Sequence, residues 1–116
     1  HILGSNNSSS DYTKHYKYNG STWTEVSTLP YQFQAGSVVV LNNEIHILGG
    51  CINTSDYTKH YKYNGSTWTN VSTLPYNLCE GSAVVYNNEI HIMGGYRNEY
   101  PLNHYSIRML YALQYN

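Results

Sequence analysis

The sequence predicts an all-β fold made of short antiparallel strands. Three observations carry that expectation. One is an internal repeat: His1-Ile2-Leu3-Gly4 returns as His46-Ile47-Leu48-Gly49 and again as His91-Ile92-Met93-Gly94, at a constant period of 45 residues. Residues 1–45 and 46–90 agree at 33 of 45 positions, so both copies must use the same local structure. Composition is the second: tyrosine occurs 14 times in 116 residues, and aromatic and β-branched side chains suit a pleated, half-buried surface. The third is the recurrence of Asn-Asn and Asn-Gly pairs between short apolar or alternating runs.

Each period divides into four strands, here a to d. Ser37-Val38-Val39-Val40-Leu41 is continuously apolar, as expected of a strand buried on both faces. Asn42-Asn43 then supplies a two-residue turn, because Asn tolerates positive φ. Strand b, Glu44 to Leu48, ends at Gly49-Gly50. Strand c is Lys59-His60-Tyr61-Lys62-Tyr63, alternating polar and aromatic with period two. Asn64-Gly65 reads as a type I′ hairpin turn into strand d, Thr67 to Ser72, which Leu74-Pro75 closes. Four antiparallel strands in a period of this length are the signature of a propeller blade, which hides its faces by stacking on its neighbours. The repeated tyrosines and Trp23 and Trp68 are then the large packing residues between sheets.

These marks resemble the kelch repeat over about residues 1–104. They comprise an apolar strand, a short turn, a second strand ending in a glycine pair (Gly49-Gly50, Gly94-Gly95), and a Tyr and Trp spaced as Tyr16 with Trp23 and Tyr61 with Trp68. The resemblance implies a partial kelch-type β-propeller of about two and a half four-stranded antiparallel blades. Residues 1–35 form a partial blade (strands b to d), 36–80 a complete one, and 81–116 a partial one with a divergent end. The first copy has Gly4-Ser5 in place of the glycine pair, the third lacks the Trp, and the pattern is lost from Tyr105. Gly20-Ser21-Thr22-Trp23 matches half of a sialidase Asp-box, but Tyr16 and Tyr18 stand where its Ser and Asp belong. Two and a half blades do not close a ring, so further blades or self-association are expected.

Twelve positions differ between the copies, and nine of them fall in two loops. Positions 5–9 against 50–54 are the b–c loop, and 32–35 against 77–80 the d–a loop; both emerge at one end of an up-and-down sheet. Loops on a rigid scaffold carry recognition. The expected binding rim is Asn6, Asn7, Ser8 and Ser9; Cys51, Ile52, Asn53 and Thr54; Tyr96, Arg97, Asn98 and Glu99; with Gln32, Phe33, Gln34, Asn77, Leu78, Cys79 and Glu80 from the d–a loops. Phe33, Ile52 and Leu78 are its expected apolar anchors. The resemblance implies a non-catalytic module that binds a protein, or alternatively a glycan, through these loops.

Other function classes find little support. Charged residues make up 11% of the chain and the net charge is −1, so there is no basic footprint for nucleic acid. No apolar run approaches the roughly 20 residues that span a bilayer. The five repeating histidines (His1, His46, His91; His15, His60) sit one blade apart within each set and read as packing rings; no metal and no cofactor is expected. Asp11 and Asp56 read as turn caps. No Ser-His-Asp order, phosphate loop or His-Glu-x-x-His motif is present. Some kelch propellers are sugar-acting enzymes, including oxidases with a Cys–Tyr crosslink, epimerases and sialidase-like folds, and that is the alternative reading. Cys51 and Cys79 are too few for a disulfide scaffold, and a single bridge between them is left open. Asn-x-Ser/Thr sequons begin at Asn6, Asn7, Asn19, Asn53, Asn64 and Asn70.

Overall fold

The computed structural model describes residues 1–4 and 11–95. Among these residues the chain is all-β, with antiparallel sheets of two to four strands and two single-turn 3-10 segments. The strands are β1 (Ile2–Leu3), β2 (Lys14–Tyr18), β3 (Trp23–Thr28), β4 (Ser37–Leu41), β5 (Glu44–Leu48), β6 (Lys59–Tyr63), β7 (Trp68–Thr73), β8 (Ser82–Tyr86) and β9 (Glu89–Met93). The first sheet has the order β1-β2-β3, the second β4-β5-β6-β7 and the third β8-β9. The second sheet thus holds the four strands a to d read from the sequence.

Registers repeat with the sequence. Val39 faces His46 across the β4–β5 pair as Val84 faces His91 across β8–β9. A bulge between His15 and Tyr16 in the β2–β3 pair recurs between His60 and Tyr61 in β6–β7. It leaves one residue, Val26 or Val71, unmatched in the facing strand and sharpens the local twist.

The a–b turn forms as expected. Asn42 and Asn43 have φ of 52° and 64°, and Asn87 and Asn88 of 54° and 65°, so both central residues are left-handed. The c–d turn differs from its expectation. Tyr63 pairs with Trp68, so the connection is four residues long and not a two-residue Asn64-Gly65 hairpin. The cause is the Asn64 carboxamide: its Oδ1 accepts hydrogen bonds from the Ser66 and Thr67 backbone N–H groups at 2.8 and 2.9 Å. Asn19 does the same for Ser21 and Thr22.

Two apolar cores lie between consecutive sheets. Leu29, Tyr31, Phe33 and Ile47 are buried in one, flanked by Leu3, Tyr61 and Trp68. Val39, Leu48, Leu74 and Leu78 are buried in the other, flanked by Tyr76, Ala83, Ile90 and Ile92. Both cores use the same repeat positions: Leu29 becomes Leu74, Phe33 becomes Leu78, and Ile47 becomes Ile92. The Tyr31 hydroxyl donates to the Gly49 carbonyl oxygen at 2.6 Å, and Tyr76 donates to Gly94 at the same distance. Burial pushes the Tyr31 phenol well above its ordinary pKa, so it remains a donor.

The close approach of consecutive sheets explains one glycine of the motif. Gly49 has φ of +70°, and a Cβ there would strike the Leu78 carbonyl oxygen. Trp68 Nε1 donates to Ser27 Oγ at 2.9 Å, tying the second sheet to the first. Trp23 holds the matching place on the first sheet, but no described sheet precedes it. Its indole is 53% exposed and rests on Tyr18, with ring centroids 5.1 Å apart.

Candidate functional site: a stitched loop rim

The β3–β4, β5–β6 and β7–β8 connections meet at one end of the sheets. Cys51 N–H donates to the Gln34 carbonyl at 2.9 Å, Glu80 N–H to Ala35 at 2.8 Å, and Gly50 N–H to Leu78 at 3.0 Å. A disulfide joins Cys51 to Cys79, with Cα atoms 5.1 Å apart and a sequence separation of 28. The bridge left open by the sequence is therefore made. Both sulfurs are bonded to each other, so neither offers the thiol that a Cys–Tyr crosslink requires. Positive φ at Ala35 (58°) and Glu80 (60°) turns both loops into the strands that follow.

The rim presents amide and carboxylate groups. Asn53, Thr54, Asn77 and Glu80 are exposed, and Gln32, Gln34, Cys51 and Ile52 are half-buried. Two expected anchors are corrected. Phe33 is 4% exposed and Leu78 is fully buried, because each turns inward to fill a core between sheets. Cys79 is buried as well, at the inner side of the disulfide. Of the three apolar anchors only Ile52 retains exposed surface. Asn6, Asn7, Ser8, Ser9, Tyr96, Arg97, Asn98 and Glu99 lie outside the described residues.

Asp56 supports the β5–β6 connection from beneath. Its carboxylate is buried and paired with Lys59 Nζ at 2.9 Å, and it accepts from Asn53 Nδ2 at 3.2 Å. Asp56 is the last residue of the 3-10 turn at Thr54–Asp56, and there its carboxylate engages the side chains of Asn53 and Lys59 rather than a backbone N–H of the turn. Asn53 is thereby held by its side chain as well as by the neighbouring bridge.

A second cluster escaped the sequence reading. His46 Nδ1 and His60 Nε2 are 2.8 Å apart, and His60 Nδ1 meets Ser72 Oγ at 2.7 Å. The same ladder joins His1, His15 and Ser27, at 2.8 Å for both contacts. The described histidines pair within each of the first two sheets. The signal was present as a 14-residue spacing that occurs in both copies, His1 to His15 and His46 to His60. Burial depresses the imidazole pKa of His15 and His46, and burial, with His46 and Lys62 nearby, brings His60 down to about 4. Each His–His contact needs one nitrogen to donate and the other to accept, which neutral rings provide.

A serine on a histidine on a further hydrogen-bonded group has the outline of a nucleophile, base and orienting residue. A base near pKa 4 accepts protons poorly at neutral pH, and the twin ladder has its serine covered by Trp68. The repetition marks a packing device between strands β5, β6 and β7. Among the described residues no group of three or more His, Cys, Asp or Glu side chains is placed to hold a metal ion. No described helix is long and apolar enough to cross a membrane. No protein-family model matches this chain, and no curated protein matches it either.

Proposed function

We infer that the three sheets are successive blades of a kelch-type propeller and that the chain acts as a non-catalytic binding module through its loop rim. The observation that carries this reading is the cross-stitched rim. Three loops from consecutive repeats are joined by backbone hydrogen bonds and by one disulfide. Nine of the twelve differences between the first two copies fall in the b–c and d–a loops that build it. A surface fixed before binding loses less entropy on association. Exposed Asn53, Asn77 and Glu80, with half-buried Gln34, offer donors and acceptors suited to a protein backbone or to sugar hydroxyls, the protein being the preferred partner. The disulfide suits an oxidising compartment.

The alternative, a fragment of a sugar-acting kelch enzyme, draws no support from a described residue set. Its oxidase version also lacks a free thiol. The test is a paired scan. Gln34→Lys, Asn53→Lys and Asn77→Lys on the rim are compared with Thr22→Lys and Thr67→Lys at the opposite turns, using binding to an extracellular protein panel and a glycan array. Loss with the rim set alone supports the reading. Loss with the opposite set alone overturns it.

A further inference from the structure

The two c–d turns, at the end of the sheets opposite the rim, carry a reactive pair that neither the rim nor the cores use. Each is an asparagine followed by a glycine, Asn19-Gly20 and Asn64-Gly65. Residues 19–22 and 64–67 are all exposed. The backbone itself demands the glycine: φ is +100° at Gly20 and +102° at Gly65. Nothing lies within 4 Å of where a Cβ would stand at either position. Among the described residues no acceptor takes the Gly20 or Gly65 N–H. The asparagine Oδ1, by contrast, accepts from two N–H groups in each turn, at 2.9 and 3.0 Å for Asn19 and at 2.8 and 2.9 Å for Asn64. Other exposed asparagines lack this arrangement. Asn53 is followed by β-branched Thr54, and its Nδ2 donates to the Asp56 carboxylate at 3.2 Å. Asn42 is followed by Asn43, whose Cβ stands beside the nitrogen that would have to react.

We propose that Asn19 and Asn64 are sites of spontaneous modification, where attack by the next residue's backbone nitrogen converts the side-chain amide to a carboxylate. The Gly65 nitrogen gives its proton to water and bonds to Asn64 Cγ. Negative charge gathers on Oδ1, where the Ser66 and Thr67 N–H groups already point, as in an oxyanion hole. The Cγ–Nδ2 bond then breaks, and Nδ2 leaves as ammonia after taking a proton from water. The product is a cyclic imide. Water opens it at Cγ to give aspartate, or at the Asn64 backbone carbonyl to give isoaspartate, in which the chain runs through Cγ. Water is the only co-reactant. The hydrogen bonds that hold the turn are thus the ones that favour its modification. Aspartate keeps an acceptor for both, now charged and stronger. Isoaspartate lengthens the backbone between Tyr63 and Trp68, the pair that closes β6 on β7. Each event adds a negative charge to a chain whose net charge is −1.

The test incubates the folded chain at physiological temperature and neutral pH, beside a capped peptide of residues 61–69. Conversion is followed residue by residue by mass spectrometry of proteolytic fragments, with isoaspartate detected by enzymatic methylation. Asn19 and Asn64 are expected to convert at rates within about tenfold of the peptide and at least about tenfold above Asn42 and Asn53. Both rates should rise with pH, since the attacking nitrogen must lose its proton. Gly65→Ala should slow Asn64 by about tenfold or more, while Asn19 in the same molecule keeps its rate and serves as the internal reference. Conversion in the folded chain more than about tenfold slower than in the peptide shows that the turn protects its asparagine, and overturns the proposal. A Gly65→Ala chain in which Asn64 converts at the parent's rate overturns it as well.

Discussion

Replacing both Cys51 and Cys79 with serine tests what holds the rim. The bridge closes a loop of 28 residues in the unfolded chain. Loop-closure entropy for that length corresponds to about 3.5 kcal/mol at 25 °C. The folded rim keeps its Cys51-to-Gln34 and Glu80-to-Ala35 backbone bonds, so the native sheets should persist in the variant. The loss therefore acts mainly through the unfolded state. Urea unfolding followed by tyrosine and tryptophan fluorescence is the assay, with the parent measured oxidised and reduced. A domain of this size has a urea slope near the low end of about 1–3 kcal/mol/M, so the midpoint should fall by roughly 2.5–3.5 M. Reducing the parent should reproduce the shift, and reducing the variant should do nothing. A midpoint within about 0.3 M of the parent would refute the reasoning. It would mean that the unfolded chain already holds the two loops together, or that the bridge strains the fold by as much as it helps.

Three further outcomes are expected. His60 has a folded-state pKa of about 4 against an ordinary 6.5, so the unfolded chain binds more protons between those values. The stability His60 contributes is complete above pH 6.5 and is lost as pH falls through 4, by about 1–2 kcal/mol after discounting for solvent screening; His60→Gln should flatten that part of the stability–pH curve. Gly49→Ala should cost about 2–4 kcal/mol in urea unfolding, because left-handed backbone and a blocked Cβ add together, while Gly65→Ala, also left-handed but with open space around it, should cost about 1–2 kcal/mol. Trp68→Phe should cost about 1–3 kcal/mol and Trp23→Phe under about 0.5 kcal/mol in the same assay, although the two share a repeat position, because among the described residues Trp68 packs in the core between two sheets and bonds to Ser27 while Trp23 is 53% exposed.

Local signals in the sequence were read well where the backbone alone decides. Asn42-Asn43 predicts a left-handed two-residue turn, and both residues adopt it. The Asn64-Gly65 turn departs from its expectation because a side chain decides it: the Asn64 carboxamide competes for backbone donors and lengthens the loop. A loop segment predicts surface positions for Phe33 and Leu78, yet both are buried. Their direction depends on a neighbouring sheet that a single period does not contain. The His46–His60 contact needed the register of β5 against β6, where His46 faces Lys62 and Leu48 faces His60. A comparison of spacings within each copy would have found it; a comparison between copies finds only histidines one repeat apart.

The disulfide changes how the differences between the copies should be counted. At the positions of Cys51 and Cys79 the first copy has Asn6 and Gln34. Two of the nine loop differences are thus a single covalent unit in the second copy. Either cysteine without the other would have left an unpaired thiol in a loop, so the productive change is the double one. The two loops that vary most are consequently not independent. Any swap or grafting of rim loops between repeats has to move the b–c and d–a segments together.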